Sequence, residues 1–170
     1  MDLKTYIRDV PNFPVEGVVF KDITPLLRSP EAFAEAVSRL EAYCRSRRPD
    51  AIVAIEARGY VLAAPLALRL GAAFVPARKP GKLPWKTIRE EYQLEYGVAA
   101  LEVHEDAIAP GQRVVIVDDV IATGGTLKAT RRLVERLGGT VEGMACLVEL
   151  TFLNGRRMLD GAELFAVLTY

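Results

Sequence analysis

The sequence predicts an α/β fold with a largely parallel central sheet flanked by helices. Three observations carry this reading. Short apolar runs at 51–55 and 113–117 have the length and composition of strands buried on both faces. Stretches with apolar residues at helical spacing alternate with them, and glycine or proline punctuates the ends of these stretches. The 170 residues suit one domain with a sizeable core.

In order along the chain, the spacing predicts a first amphipathic helix over 29–48. Ser29 can cap it, Pro30 stands at its first position and Glu31 favours its positive end, while Phe33, Val37, Leu40 and Cys44 recur on one face. Its basic end, Arg45 to Arg48, reads as solvated. Ala51 to Ile55 reads as a buried strand leading into Glu56-Ala-Arg58-Gly59 and a helix from about Tyr60 to Leu70 that stops at Gly71. Ala73 to Pro76 is another short apolar run. Residues 78–87, RKPGKLPWKT, combine prolines and a glycine with basic side chains and predict a mobile loop. The next stretch alternates, and His104 to Gly111 reads as a polar turn with His104 exposed. Arg113 to Val117 is a strong strand, and a helix opening near Gly125 runs to Gly138-Gly139. Val141 to Leu150 and Leu164 to Tyr170 read as late strands.

Composition narrows the function classes. Lys plus Arg and Asp plus Glu each number 22, so zero net charge argues against a nucleic-acid binder or a polybasic membrane ligand. The apolar stretch from Val61 to Val75 is interrupted by Arg69 and is too short to span a bilayer. The N-terminus lacks the apolar core of a signal peptide. Cys44 and Cys146 lie in apolar patterns without metal-type spacing, which reads as buried reduced thiols and a cytoplasmic location.

The chemically loaded stretch is VVIVDDVIATGGT, residues 114–126. Gly124 and Gly125 allow close backbone approach, Thr123 and Thr126 add hydroxyls, and the following helix offers free N–H groups at its positive end. It is neither a Walker loop nor GxGxxG. By itself, Ala122 to Thr126 also suits an ordinary strand–loop–helix connection with a threonine cap. Two adjacent carboxylates, Asp118 and Asp119, repel one another and need partners, which sugar hydroxyls or a magnesium-bound ligand would supply. Hydroxyls at one edge and phosphate at the other describe a ribose 5-phosphate.

This stretch resembles the signature of the type I phosphoribosyltransferases, which use 5-phosphoribosyl 1-diphosphate (PRPP). The resemblance implies that Asp118 and Asp119 engage the ribose hydroxyls and that Ala122, Thr123, Gly124, Gly125 and Thr126 wrap the 5-phosphate. It implies Mg²⁺ held mainly by substrate oxygens, with Asp118 and Asp119 assisting through water. Further blocks, PNFPVEGVVFKDITPLL at 11–27, Glu56 to Tyr60, Gly81 to Pro84, Leu94 to Gly97 and Leu147 to Leu150, resemble the adenine-using branch of that family, in its order and over nearly the whole chain. The implied architecture is a single domain over 1–170 whose residues 1–28 form a small N-terminal hood over the base.

The resemblance implies that the backbone at Val19 and Lys21 reads the purine edge, that Phe20 stacks on it, and that Leu150 and Val120 or Ala122 wall its other face. Core packing is the alternative for Phe20, as a surface ion pair is for Arg58. In the family Arg58 lies against the diphosphate or base, and Arg78, Lys79 and Lys82 sit on a loop whose cations stabilise the leaving diphosphate. A basic residue near Arg78 reaches a neighbouring subunit, which implies a homodimer. Glu95 is the implied acid–base residue and Tyr96 a diphosphate contact. Lys21 replaces the usual Arg, Trp85 replaces a usual Gly, and Pro80 stiffens the loop. None removes a group that the chemistry needs. The implied reaction joins adenine to PRPP, with another purine base or a non-enzymatic PRPP-binding regulator as rivals. Neither nucleic acid nor membrane is an expected partner.

Overall fold

The computed structural model describes residues 1–93 and 97–170, and the chain divides into two compact units, Met1–Arg39 and Leu40–Tyr170. In the first, β1 (Arg8–Pro11) pairs antiparallel with β2 (Val19–Asp22), placing Arg8 opposite Asp22 and Pro11 opposite Val19. The connecting turn is tied by Gly17 N–H donating to Asn12 Oδ1 at 2.9 Å, with Gly17 at φ +85°. Lys21 Nζ donates to Asp9 Oδ1 at 2.6 Å, and the Phe13 and Phe20 rings meet edge to face at 5.2 Å. α1 (Thr24–Arg28) follows, opened by Asp22, which accepts from Thr24 N–H. Ser29 then begins α2 (Pro30–Arg45), its hydroxyl accepting from Ala32 N–H at 3.3 Å.

The second unit is built on β3 (Ala51–Ile55), α3 (Arg58–Leu70), β4 (Ala73–Ala77), the antiparallel hairpin β5 (Thr87–Gln93) and β6 (Val98–His104), β7 (Arg113–Ile121), α4 (Gly125–Arg136), β8 (Thr140–Glu149) and β9 (Leu164–Thr169). Five strands form one parallel sheet in the order β4-β3-β7-β8-β9. Stepping from β3 to β4 runs one way across the sheet, and stepping from β7 to β8 runs the other. Right-handed crossovers therefore put α3 and α4 on opposite faces. The reversal falls between β3 and β7, and the crevice beyond the carboxyl ends of those two strands is where such sheets hold ligands.

Alternation along the strands supplies the packing. Val53, Ile55, Val75, Ile116, Met144 and Cys146 join Leu127, Leu133 and Val134 of α4 in one buried cluster. Both cysteines are buried and free, and burial pushes the Cys44 thiol up to about 12 and Cys146 higher still. No helix of the described residues is long and apolar enough to cross a membrane.

Three local expectations change. β7 does not stop at Val117: it stays paired with β8 through Ile121 opposite Glu149, so both aspartates lie within the strand. The long neighbour supplies ladder partners that the sequence of β7 alone does not reveal. Arg47 is not a solvated helix end. Its guanidinium lies 3.5 Å over the Tyr43 ring, which stacks on Phe165, and it pairs with Glu163 of the segment before β9. His104 is half-buried, because β6 runs through it opposite Thr87.

Ile116 is fully buried at the centre of the sheet. Ile116→Ala is expected to lower the unfolding free energy by about 2–5 kcal/mol, read from the urea midpoint.

Candidate active site

Three segments converge at the switch point. Glu56 and Ala57 leave β3 through a cis peptide and lead directly into α3. Asp118 and Asp119 stand near the end of β7, and the loop 122–124 turns into α4. Gly59 is what lets the first two meet. A Cβ there would lie 3.1 Å from Asp118 Oδ1 and 3.2 Å from the Val117 carbonyl, so the first turn of α3 packs tightly on β7 and a side chain at this position would press the two apart by a few tenths of an ångström.

The two carboxylates are both buried. Asp119 is paired with the Arg58 guanidinium from the start of α3. Asp118 accepts from the Asp119 N–H at 2.8 Å. Burial first, and then the charge of Asp119, push the Asp118 carboxyl well above the ordinary carboxylate range. A neutral or hydroxyl-bonded Asp118 is therefore favoured over a bare second charge, and a ligand that donates O–H groups here would supply the missing partners.

Beside the pair lies a cleft of about 80 Å³ lined by Asp118, Val120, Ala122, Thr123, Gly124 and Thr126 among others. No threonine caps the helix, as an ordinary strand–loop–helix connection would have had it: Gly124 is the N-cap of α4, at φ +85°, with no side-chain cap. The first α4 amide bonded back to Gly124 is Lys128, leaving the N–H groups of Gly125, Thr126 and Leu127 at the positive end of the helix. Thr123 is exposed, and Thr126 borders the cleft. This edge suits an anion.

Glu56 organises the cationic side. Its carboxylate accepts from Arg78 Nε at 3.3 Å and Nη2 at 3.1 Å, and also from the Lys79 N–H. Burial alone would raise its pKa, but the Lys79 N–H and Arg78 outweigh it and the carboxyl sits below the usual range. Lys79 and Lys82 are exposed, and the Lys82 carbonyl accepts from Arg78 Nη1 at 3.2 Å. Val120 and Leu150 are half-buried at the ends of neighbouring strands, tied by Leu150 N–H donating to the Ile121 carbonyl at 2.9 Å. Val19, Phe20 and Lys21 belong to β2 of the first unit, where Val19 is exposed and Phe20 half-buried. Glu95 and Tyr96 lie outside the described residues. Sequence reasoning assigned no separate task to Glu56 or Gly59. A glycine in the first turn of a helix straight after a buried strand is the signal that could have singled out Gly59.

The profile of the phosphoribosyl transferase domain family matches residues 24–158. The chain belongs to this family. Among similar phosphoribosyltransferases is the adenine phosphoribosyltransferase of Thermotoga maritima, 56% identical over 170 residues, covering 100% of this chain and 98% of the relative. The structure of adenine phosphoribosyltransferase from Thermoanaerobacter pseudethanolicus superposes with a TM-score of 0.97 at 51% identity, covering 99% of this chain and 98% of that one. The enzyme of Saccharomyces cerevisiae, solved with an imino-altritol bisphosphate and adenine, has a TM-score of 0.93 at 39% identity, with 98% and 96% covered. The α/β phosphoribosyltransferase fold expected from the sequence is thus the observed one.

The raised Asp118 pKa sets a pH dependence. A carboxyl that holds its proton more tightly folded than unfolded adds stability below the unfolded pKa of about 3.9, and that contribution is lost as pH rises through the folded value. Asp118→Asn is expected to melt higher than the parent near pH ~8, with the gap closing toward pH ~4 in a series of calorimetric scans.

Proposed function

We propose that this phosphoribosyltransferase moves the 5-phosphoribosyl group of PRPP onto N9 of adenine, giving AMP and diphosphate, a purine-salvage reaction. The observation that carries the proposal is the meeting of Asp118 and Asp119 with the uncapped start of α4 at the switch point of the sheet. Carboxylates that accept from hydroxyls lie beside donors that bind phosphate, which is the chemistry of a ribose 5-phosphate. The full-length similarity to adenine phosphoribosyltransferases supports adenine as the base.

In this reading Ala122, Thr123, Gly124, Gly125 and Thr126 hold the 5-phosphate, and Asp118 and Asp119 accept from the ribose hydroxyls. The bond from C1 of the ribose to the diphosphate oxygen breaks as the bond from adenine N9 to C1 forms. Charge developing on the diphosphate is met by Arg58, Arg78, Lys79 and Lys82, with Tyr96 donating to it. Glu95 stabilises the proton carried at the purine N7 and takes it up as N9 bonds to C1, so that the base of AMP is left neutral. Val19, Phe20 and Lys21 read and stack the base, and Val120 and Leu150 wall it. Residues 1–28 act as the base-covering hood of a single functional domain over 1–170.

Magnesium is the proposed cofactor. Among the described residues no group of three His, Cys, Asp or Glu side chains is arranged to hold a metal, and Arg58 already engages Asp119. This donor set fits an ion carried mainly by substrate oxygens, with Asp118 and Asp119 assisting through water. When bound, the ion supplies neutralising charge to the diphosphate.

The proposed homodimer has a physical basis in the second unit. Val61, Leu68 and Phe74 are exposed at 40%, 84% and 38% along α3 and the edge strand β4, immediately before Arg78. An apolar face on an edge strand is a surface that a second copy would cover. A cytoplasmic location is proposed from the two free buried thiols.

Incubation with PRPP, Mg²⁺ and each of adenine, hypoxanthine, guanine and xanthine is expected to yield AMP alone. IMP, GMP or XMP would overturn the base assignment, and tight PRPP binding without any product would favour a regulator. Glu95→Leu is expected to cut turnover by roughly 10²–10⁴-fold with PRPP affinity nearly intact, measured by steady-state kinetics and calorimetric titration. Leu68→Glu is expected to shift the protein from dimer to monomer in sedimentation velocity. A variant that remains dimeric would remove α3 from the interface.

A further inference from the structure

The chain after β8 meets the phosphate loop from behind, and it does so backbone to backbone. Residues Thr151–Leu153 and Gly155–Leu159 form two short 3₁₀ turns between β8 and β9. A Cβ on Gly124 would run into the Gly155 carbonyl and sit 3.2 Å from Met158 Cβ. A Cβ on Gly155 would run into the Ala122 carbonyl and sit 3.2 Å from Gly124 N. Two glycines from distant parts of the sequence thus abut with no room for a side chain on either. Gly124 is the N-cap of α4 and lines the cleft together with Thr126 and Leu127 of the first turn of that helix.

The 155–159 turn is itself clamped. Arg156 donates through Nε and Nη2 to the two oxygens of Glu149, each at 2.7 Å, and through Nη1 to the Leu164 carbonyl at 2.8 Å. The Glu149 side chain is only 4% exposed, so the two-point fork fixes the guanidinium plane and satisfies a carboxylate with little access to water. From α4, Arg131 Nη1 donates to the Leu159 carbonyl at 3.1 Å, and Lys128 pairs with Asp160 at 3.0 Å. One turn is held to β8, β9 and α4 at once, and its free backbone surface faces the loop 122–124.

We propose that Glu149, Gly155 and Arg156 form a strut that sets the position of the phosphate loop and so the affinity for the 5-phosphate. The proposal rests on the phosphoribosyl-transfer reading above. In this reading none of the three is a substrate contact. They are positioning residues, acting through the backbone of Ala122 and Gly124. A strut of this kind affects PRPP binding selectively, because the base is not held by this loop alone, whereas a purely structural role would change stability and leave the two substrates in proportion.

The test uses the full chain and Arg156→Gln, which leaves Glu149 buried without its cation. Steady-state kinetics are expected to show KM for PRPP raised at least tenfold and KM for adenine within twofold of the parent. Arg156→Lys, which keeps the charge but not the fork, should fall between the two. Hydrogen exchange gives a readout independent of activity. The amide of Lys128, bonded to the Gly124 carbonyl at the end of the loop, should exchange at least tenfold faster in Arg156→Gln, and those of β3 should not change. Unchanged exchange at Lys128, or equal rises in both KM values, overturns the strut. If Arg156→Gln does not fold, Arg156→Lys decides by the same measures, with a PRPP-selective rise of at least threefold expected and no rise overturning the proposal. A parent protein that makes no AMP sinks the phosphoribosyl-transfer reading instead, and hydrogen exchange then decides the strut by itself.

Discussion

Two adjacent carboxylates inside a buried strand are the constraint around which this site is arranged. Asp118 and Asp119 repel one another, and their surroundings are too poorly solvated to screen the repulsion. The structure answers with one cation and one shifted proton equilibrium. Arg58 engages Asp119, and Asp118 is pushed toward its protonated form. Arg58 serves because α3 begins directly beside β7, an approach that the absence of a side chain on Gly59 leaves unstrained.

The anion side follows from a different economy of atoms. Donors for a phosphate are most effective when they are fixed and unused. An N-cap without a side chain leaves the first amides of α4 uncapped beside the cleft that Gly124 lines. Fixing such a bare loop needs contact from behind, which the 155–159 turn provides through backbone alone. The cationic side is restrained in the same manner, with Glu56 holding both the Arg78 side chain and the Lys79 amide at the root of the basic loop. Catalysis that relies on placed charge has most to gain from such restraint.

Much of this was legible in the residues. The strand Ala51–Ile55 and the stop of α3 at Gly71 follow from local patterns, an apolar run and a left-handed cap, and the structure has both. Asp118-Asp119 and the small-residue loop announced carboxylates beside donors. The continuation of β7 past Val117 did not show, since it depends on ladder partners in β8 some 30 positions later. Arg47 looked like a helix end because its partners, Tyr43 and Glu163, come together only once β9 has joined the sheet.

The sequence by itself determined the alternation of strands and helices, the family, and the chemical types gathered at the cleft, because these depend on periodicity and on residues close together along the chain. Tertiary structure alone decided the order β4-β3-β7-β8-β9 and hence the switch point. It also decided the partners of each charge, Arg58 for Asp119, Arg78 for Glu56 and Arg156 for Glu149. Ion pairs and backbone contacts between distant segments require a particular separation in space, and separation along the chain does not encode it.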